Sequence, residues 1–373
     1  MRYLIWGYYG FGNLGDELML QEIAYRIRSR DPVAVIYVRC LHDPEVPGVI
    51  PFAIEGIQAR SKLIRGFKYL TQLHKILNRV DVLVIGGGTL FLDKGRHNTS
   101  MLLLAIAVYL AKRRHLRIVT TGVGIDILAF PASLLYMKYI LNSSTHTFLR
   151  DDFSYNVAKY LTGGKNISRT ADIVFGIDFS MIPPPTQIPP LVAISLIDYF
   201  KTVEPSQSNR AAFIHQACEL VKMVMTACPE HNVSLCAFQK DIGERDYDFL
   251  SELLTELSSE PDIALDRINL EYIATHDQIV KVFQAATFTI GMRFHALVLS
   301  AIFGKPFMAI DIETKLKEIS VELRMPFINI SQFIEYGISE AAIYWLQEAT
   351  ISDEISARQK KLAAKNFAWL ENP

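Results

Sequence analysis

MRYLIWGYYGFGNLGDELML, residues 1–20, carries the reading of the fold. Tyr3, Leu4, Ile5 and Trp6 follow one another with no polar break, the pattern of a strand buried on both faces. Four glycines come next within nine residues (Gly7, Gly10, Gly12 and Gly15), and the carboxylates Asp16 and Glu17 stand directly behind them. From Leu18 to Ile27 the apolar residues recur at helical spacing. A glycine-rich step from strand to helix brings backbone close to a ligand, usually a phosphate. Here Gly7-x-x-Gly10-x-Gly12 does not match the dinucleotide fingerprint, and no GK[ST] follows. The two negative charges either sit at the favourable end of a helix dipole or bind and deprotonate a hydroxyl.

The alternation of strand and helix continues outward from this step. VAVIYVRC (33–40), VDVLVIGGG (80–88) and LRIVTTGVG (116–124) read as buried strands, with HTFLRDD (146–152) and ADIVFGI (171–177) as shorter ones. Helices are predicted near 16–30, 61–79, 99–114, 131–142 and 152–162. Residues 1–182 thus read as a doubly wound α/β domain. MIPPPTQIPP (181–190) places five prolines in ten residues, which neither a helix nor a central strand tolerates, so 183–190 reads as a stiff linker. Beyond it, 191–373 restarts the pattern. LVAISLI (191–197), VSLCAFQ (233–239), ATFTIGMR (286–293) and PFMAIDI (306–312) read as strands, alternating with helices at 209–228, 243–258 and 295–303. The terminal segment from about Ser339 to Leu370 reads as helix. The expected fold is two Rossmann-like domains facing across a cleft, with ligands at the carboxyl ends of their strands.

Composition narrows the function classes. Half of the 373 residues are hydrophobic, enough for a large core, and a net charge of -1 argues against a protein whose main work is gripping nucleic acid through phosphates, although a neutral total can hide a local basic cleft. Cys40, Cys218, Cys228 and Cys236 show no metal-like spacing and read as buried thiols in a reducing compartment. No secretory leader precedes the first strand, and the apolar run MLLLAIAVYLA (101–111) falls short of the roughly 20 residues of a membrane span. A cytoplasmic location is therefore expected. Lys62, Arg65, Lys68, Lys75 and Arg79 recur at helical spacing, as a solvated face or as a peripheral contact with a membrane surface.

The candidate site residues gather at strand ends. Gly86-Gly87-Gly88-Thr89 and Gly122-x-Gly124 each close a predicted strand, so with the first glycine step they would line one rim with backbone N–H groups. Asp93, soon after the triplet, is a weaker acidic candidate. In the second domain GMRFHALVLSAIFGKP ends a strand at Gly291 and presents Arg293 and His295 where a helix begins. Arginine offers a planar fork for carboxylate or phosphate. A histidine at a helix N-terminus sits where positive charge is disfavoured, which suits a proton exchanger near neutrality. Arg150, in FLRDD, is a second fork or a partner of Asp151 or Asp152, and Lys315 is a further cation or a solvated charge. Collected, these groups suit a small, highly anionic substrate and the activation of a hydroxyl.

GYYGFGNLGDE, VLVIGGGTLFLD, FLRDDFS, TADIVFG and GMRFHALVLSAIFGKPFMAIDIETKL, in that order, resemble the polysaccharide pyruvyl transferase family from residue 3 to about 320. The resemblance implies a GT-B-like pair of Rossmann-like domains and transfer of pyruvate from phosphoenolpyruvate (PEP) to two hydroxyls of one sugar. The product would be a cyclic ketal on a cell-surface polysaccharide or its precursor, with phosphate released. It implies that Arg293 and Arg150 hold the carboxylate and phosphate of PEP, that His295 is the general acid/base, and that Lys315 matches the family's late lysine. Asp16 and Glu17 would be catalytic on the acceptor side, and Gly12, Asn13, Gly87, Gly88, Thr89 and Gly124 would line the substrate. No metal and no cofactor beyond PEP as donor is implied, and a lipid-linked acceptor would bring the protein to the inner membrane face. The chain departs from the family pattern at Ile125, where proline is common, at Ile197, where arginine is common, and in the run from Asp311 to Lys315. Two other readings stay open. One is a GT-B glycosyltransferase using a nucleotide sugar, with Glu313, Glu318 or Glu322 recognising the ribose or the base; the other is a non-catalytic sugar- or phosphate-binding protein.

Overall fold

The computed structural model describes residues 1–43, 46–53, 62–93, 99–183, 189–239, 246–261 and 263–371. The chain divides into two compact units, Met1–Ile177 with Gln359–Pro373, and Asp178–Arg358. In the first unit β1 (Arg2–Tyr9), β2 (Val35–Cys40), β3 (Val49–Ala53), β4 (Val82–Phe91), β5 (Arg117–Ile125), β6 (His146–Leu149) and β7 (Ile167–Arg169) form one sheet in the order β3-β2-β1-β4-β5-β6-β7. Every pairing is parallel. In the second, β8 (Leu191–Ser195), β9 (Asn232–Ala237), β10 (Ile268–Tyr272), β11 (Ala286–Gly291), β12 (Phe307–Asp311) and β13 (Phe327–Asn329) form the order β10-β9-β8-β11-β12-β13, again all parallel. Two parallel-sheet α/β domains are thus present, as the alternation of apolar runs requires.

Both sheets reverse their winding once. The first does so between β1 and β4, the second between β8 and β11. At such a switch point the loops leaving the two strands part in opposite directions, and a crevice opens outside their carboxyl ends. The glycine step leaves β1 and the Arg293–His295 segment leaves β11, so each lies at a switch point. The cores that fix these ends are ordinary. Leu4, Leu83, Ile85 and Val123 pack against Leu73, Leu104 and Val108, all buried, in the first unit. In the second, Phe213 stacks on Phe249 at 5.5 Å and meets Phe333 edge-on at 5.9 Å. Full burial of side chains like these contributes roughly 1.5–3 kcal/mol each.

Several expectations are redrawn. The predicted strand at 171–177 is a 3-10 turn, Ile173–Gly176, because Asp172 accepts the Val174 N–H at 3.0 Å and bends the chain. Gly86 to Thr89 do not form a turn: β4 runs on to Phe91, with Gly88 opposite Val123 and Thr89 opposite Gly124. The terminal segment is two helices, Glu340–Glu348 and Asp353–Ala364, then a 3-10 turn, Lys365–Leu370. The sequence reading gives 359–373 to the second domain, whereas its contacts join it to the first unit. Buried Asn366 is the reason. Its Oδ1 accepts the Gly122 N–H at 3.0 Å and the Thr170 hydroxyl at 2.9 Å, and its Nδ2 donates to the Ala171 carbonyl at 2.8 Å. Most of the predicted proline linker, 184–188, lies outside the described residues.

Candidate functional site

The sequence candidates fall into two clusters, one in each unit. In the first, Asn13 caps the helix Leu14–Arg30, its Oδ1 accepting the Gly15 N–H at 3.2 Å, and sets Asp16 and Glu17 in the first turn. Gly12 stands beside it with φ +70° and open space around it. Asp16 is buried against β4: a Cβ on Gly88 would lie 2.7 Å from its Oδ1. With φ at +74° as well, only glycine fits there without strain. Tyr9, fully buried at the end of β1, donates its hydroxyl to the Gly86 carbonyl at 2.5 Å. Met19, on the next helical turn, receives the Gly88 N–H on its sulfur at 3.2 Å. Helix, β1 and glycine strand are therefore stitched into one rim.

Glu17 has the most unusual environment of the candidates. Its Oε1 accepts the Gly10 N–H at 2.7 Å, while its buried Oε2 makes no hydrogen bond among the described residues. Burial pushes its carboxyl up to about 7 and the Asp16 charge adds to this, while the backbone N–H groups of Gly10 and Phe11 pull the other way. Burial also raises Tyr9 well above the usual phenol, reinforced by the charges of Asp16 and Glu17. A carboxyl that titrates near neutrality beside a buried carboxylate can take up a proton from a hydroxyl and return it.

Arg150 belongs to this first cluster. It is buried at the end of β6, donating from Nη2 to the Thr89 hydroxyl at 2.7 Å and from Nη1 to Asp172 Oδ2 at 3.2 Å, with Asp151 at 3.6 Å. Gly124 makes room for it, since a Cβ there would meet the guanidinium at 2.8 Å. Arg150 lies in the first unit and Arg293 in the second, the domains to which the sequence reading gives them. Asp93 accepts the N–H groups of Ala129 at 2.6 Å and Phe130 at 3.0 Å with its Oδ2. Lys68, Lys75 and Arg79 of the basic stretch are exposed, and the side chains of 62–67 lie outside the described residues.

In the second unit Arg293 stands at the N-terminus of the helix Phe294–Ile302, and His295 lies in its first turn, partly buried. The Met292 N–H donates to the Ser195 carbonyl at 2.7 Å and ties this junction to β8. Arg293 Nε donates to Asp246 Oδ2 at 3.0 Å, and Nη2 to Gln239 Oε1 at 3.3 Å. Lys315 is the second residue of the helix Thr314–Leu323, which follows the neighbouring strand β12, and pairs with Glu313. Arginine, histidine and lysine thus stand at the carboxyl ends of two adjacent strands, suited to an anion. Four contributors escaped the sequence reading: Tyr9, Asp172, Gln239 and Asp246. Their signal was slight, because each is a single polar residue whose partner lies far along the chain.

All four cysteines are free and buried, and burial pushes Cys40 and Cys218 up to about 11 and Cys236 to about 12. Among the described residues no group of three or more His, Cys, Asp or Glu is placed to hold a metal ion. Nor, among them, is any helix long and apolar enough to cross a membrane.

Solved structures share the fold. The UDP-GlcNAc 2-epimerase of Methanocaldococcus jannaschii aligns over 100% of both chains with a TM-score of 0.64 at 10% identity. The lipopolysaccharide outer core galactosyltransferase WaaB covers 100% of this chain and 99% of its own, with a TM-score of 0.57 at 12% identity. The Neisseria meningitidis UDP-GlcNAc 2-epimerase, solved with UDP-GlcNAc, covers 99% and 100% with a TM-score of 0.59 at 11% identity. At these identities the likeness is one of fold, the GT-B type, and of nothing finer. No curated protein matches the chain by sequence. A family model for polysaccharide pyruvyl transferase, however, matches residues 13–314. That span begins inside the glycine step, takes in both carboxylates, β4, Arg150, Arg293 and His295, and stops one residue short of Lys315. With so much of its length and most of both clusters inside the match, the chain belongs to the polysaccharide pyruvyl transferase family.

Proposed function

We propose that the protein transfers pyruvate from PEP to two hydroxyls of one sugar in a polysaccharide or its precursor, forming a cyclic ketal and releasing phosphate. The observation that carries this is the placing of a buttressed Arg293 and of His295 together at a switch-point helix N-terminus, in a chain of this family. Arg293 and Lys315 hold the carboxylate and phosphate of the donor. His295 gives a proton to the methylene carbon, which leaves the central carbon electron-poor and open to attack. The first sugar hydroxyl attacks that carbon and passes its proton to a carboxylate, Glu17 or Asp16. The bond from carbon to phosphate oxygen then breaks, the phosphate leaving with the electron pair while the cations stabilise its charge. The second hydroxyl closes the ring. Of the two hydroxyl protons, one replaces that given up by His295 and the other leaves with phosphate. Arg150 serves here to hold Thr89 and Asp172, and with them the shape of the glycine rim, while Gly12, Gly87, Gly88 and Gly124 let backbone approach the acceptor.

The test supplies PEP labelled with carbon-13 at its central carbon together with a panel of saccharides. A product carrying a labelled quaternary ketal carbon, formed in step with phosphate and lost in His295→Ala, supports the proposal. Consumption of PEP without acceptor, or sugar transfer from a UDP- or GDP-sugar in its place, refutes it.

A further inference from the structure

Asp246 is the most enclosed charge in the second unit, with 0% of its surface exposed, and no step of the proposed reaction uses it. It opens the helix Asp246–Ser258, and its carboxylate turns back to the end of β9. There Oδ2 accepts the Phe238 N–H at 2.8 Å and Oδ1 the Gln239 N–H at 2.7 Å. Oδ2 also receives Arg293 Nε at 3.0 Å. One carboxylate therefore joins the end of β9 to the segment that follows β11, across the end of β8, which lies between β9 and β11 in the sheet. The Gln239 side chain touches the same guanidinium at Nη2, 3.3 Å away, and is itself buried.

Two anchor points fix the plane of a guanidinium, where one would leave it free to turn about its last bond. Planar, two-pronged recognition of a carboxylate or phosphate depends on that plane, since both prongs must meet both oxygens at once. A buried carboxylate bonded by two backbone N–H groups is moreover a rigid support, because neither it nor the strand end can move without leaving a charge unsatisfied. Holding charge in place before the ligand arrives is what makes such a site effective.

We propose that Asp246, with Gln239, is a positioning residue for the donor anion: it sets the orientation of Arg293 and so the affinity for PEP, without touching PEP itself. This rests on the reading given under Proposed function. Asp246→Asn keeps the shape but cannot be silent, since both oxygens already face donors and an amide must turn its NH2 against one of them. Displacement of a substrate-binding group by about 1 Å can lower function by roughly 100-fold, so a rise of about 10- to 100-fold in the PEP dissociation constant is expected.

The experiment measures PEP binding by calorimetry on wild type, Asp246→Asn, Gln239→Ala, Arg293→Ala and the double variant Asp246→Asn/Arg293→Ala, each checked by its thermal unfolding midpoint. Acceptor KM is followed in the ketal assay on the same proteins. The expected pattern is weakened PEP binding in both Asp246→Asn and Gln239→Ala, unchanged acceptor KM, and no further loss from Asp246→Asn once Arg293 is gone. A merely structural Asp246 would lower the unfolding midpoint and leave PEP affinity where it was, which overturns the inference while the function stands. Gln239→Ala leaves the two backbone bonds to Asp246 in place, so it carries the test even if Asp246→Asn folds poorly; wild-type affinity in that variant then counts against the proposal. If Arg293→Ala itself binds PEP as wild type does, the donor assignment falls, and that outcome is told apart from the others by the single variant alone.

Discussion

Replacing Glu17 by glutamine removes a carboxyl that burial holds at about 7 rather than its ordinary 4.5. A group raised in this way binds its proton more tightly in the folded protein than in the unfolded chain. Its stabilising contribution is complete below the unfolded value, near 4.5, and is lost as pH rises through about 7. At ~1.4 kcal/mol per pH unit, a rise from 4.5 to about 7 amounts to about 3 kcal/mol. Glutamine is neutral throughout and of nearly the same shape, so the variant lacks this dependence. The unfolding free energy of Glu17→Gln minus that of wild type should therefore climb by about 3 kcal/mol from acid to mildly alkaline pH, most steeply between 4.5 and about 7. Urea unfolding followed by tryptophan fluorescence measures it. Trp6 and Trp369 are both buried in the first unit, where Glu17 lies, and report on that unit's unfolding. Curves for the two proteins that stay parallel across this range would mean that Glu17 titrates like a surface carboxylate, and the account of a proton-accepting rim would fail. In the same variant kcat should drop by roughly 100-fold or more, the usual contribution of a general base.

Gly88→Ala forces a side chain into left-handed backbone and against Asp16. It should cost about 1–3 kcal/mol in urea unfolding, and an unchanged midpoint would show that the strand relaxes there. Asn366→Ala strips the bonds that hold the terminal segment to Gly122, Thr170 and Ala171. A loss of roughly 2–4 kcal/mol is expected, with faster hydrogen exchange at the Gly122 amide; protection equal to wild type would contradict it. Arg150→Met leaves Asp172 buried beside an apolar chain. Stability should fall by about 3–5 kcal/mol while PEP affinity in the remaining folded protein holds, and selective loss of PEP binding at unchanged stability would return Arg150 to the donor.

The fold was legible where burial is continuous. β1, β4, β5, β8, β11 and β12 are central strands covered on both sides, so β1, β4, β8 and β12 each carry an unbroken apolar run, and β5 and β11 are apolar runs interrupted by threonine. The edge or near-edge strands β3, β7, β10 and β13 were not foreseen. They are short, and ISR, INLEY and FIN are only partly buried, so no periodicity marks them. The stretch ADIVFGI failed for the opposite reason: Ile173, Val174 and Phe175 are buried as any strand would be, and only the Asp172 cap tells turn from strand. The helical pattern beyond Ser339 says nothing of where the helix docks, and a single asparagine decides it. At the site, Arg293 and His295 announced themselves by following a glycine at a strand end. Asp246 did not, because an acidic residue opening a helix has an ordinary explanation in the helix dipole and its partner is 47 residues away.

The claim that everything else depends on is that the second unit binds PEP through Arg293. Calorimetry of wild type and Arg293→Ala with PEP, and with UDP- and GDP-sugars alongside, tests it most directly. Saturable PEP binding to wild type is expected, and a much weaker but still measurable binding to Arg293→Ala. Nucleotide-sugar binding with none for PEP would contradict it and leave a GT-B fold put to glycosyl transfer.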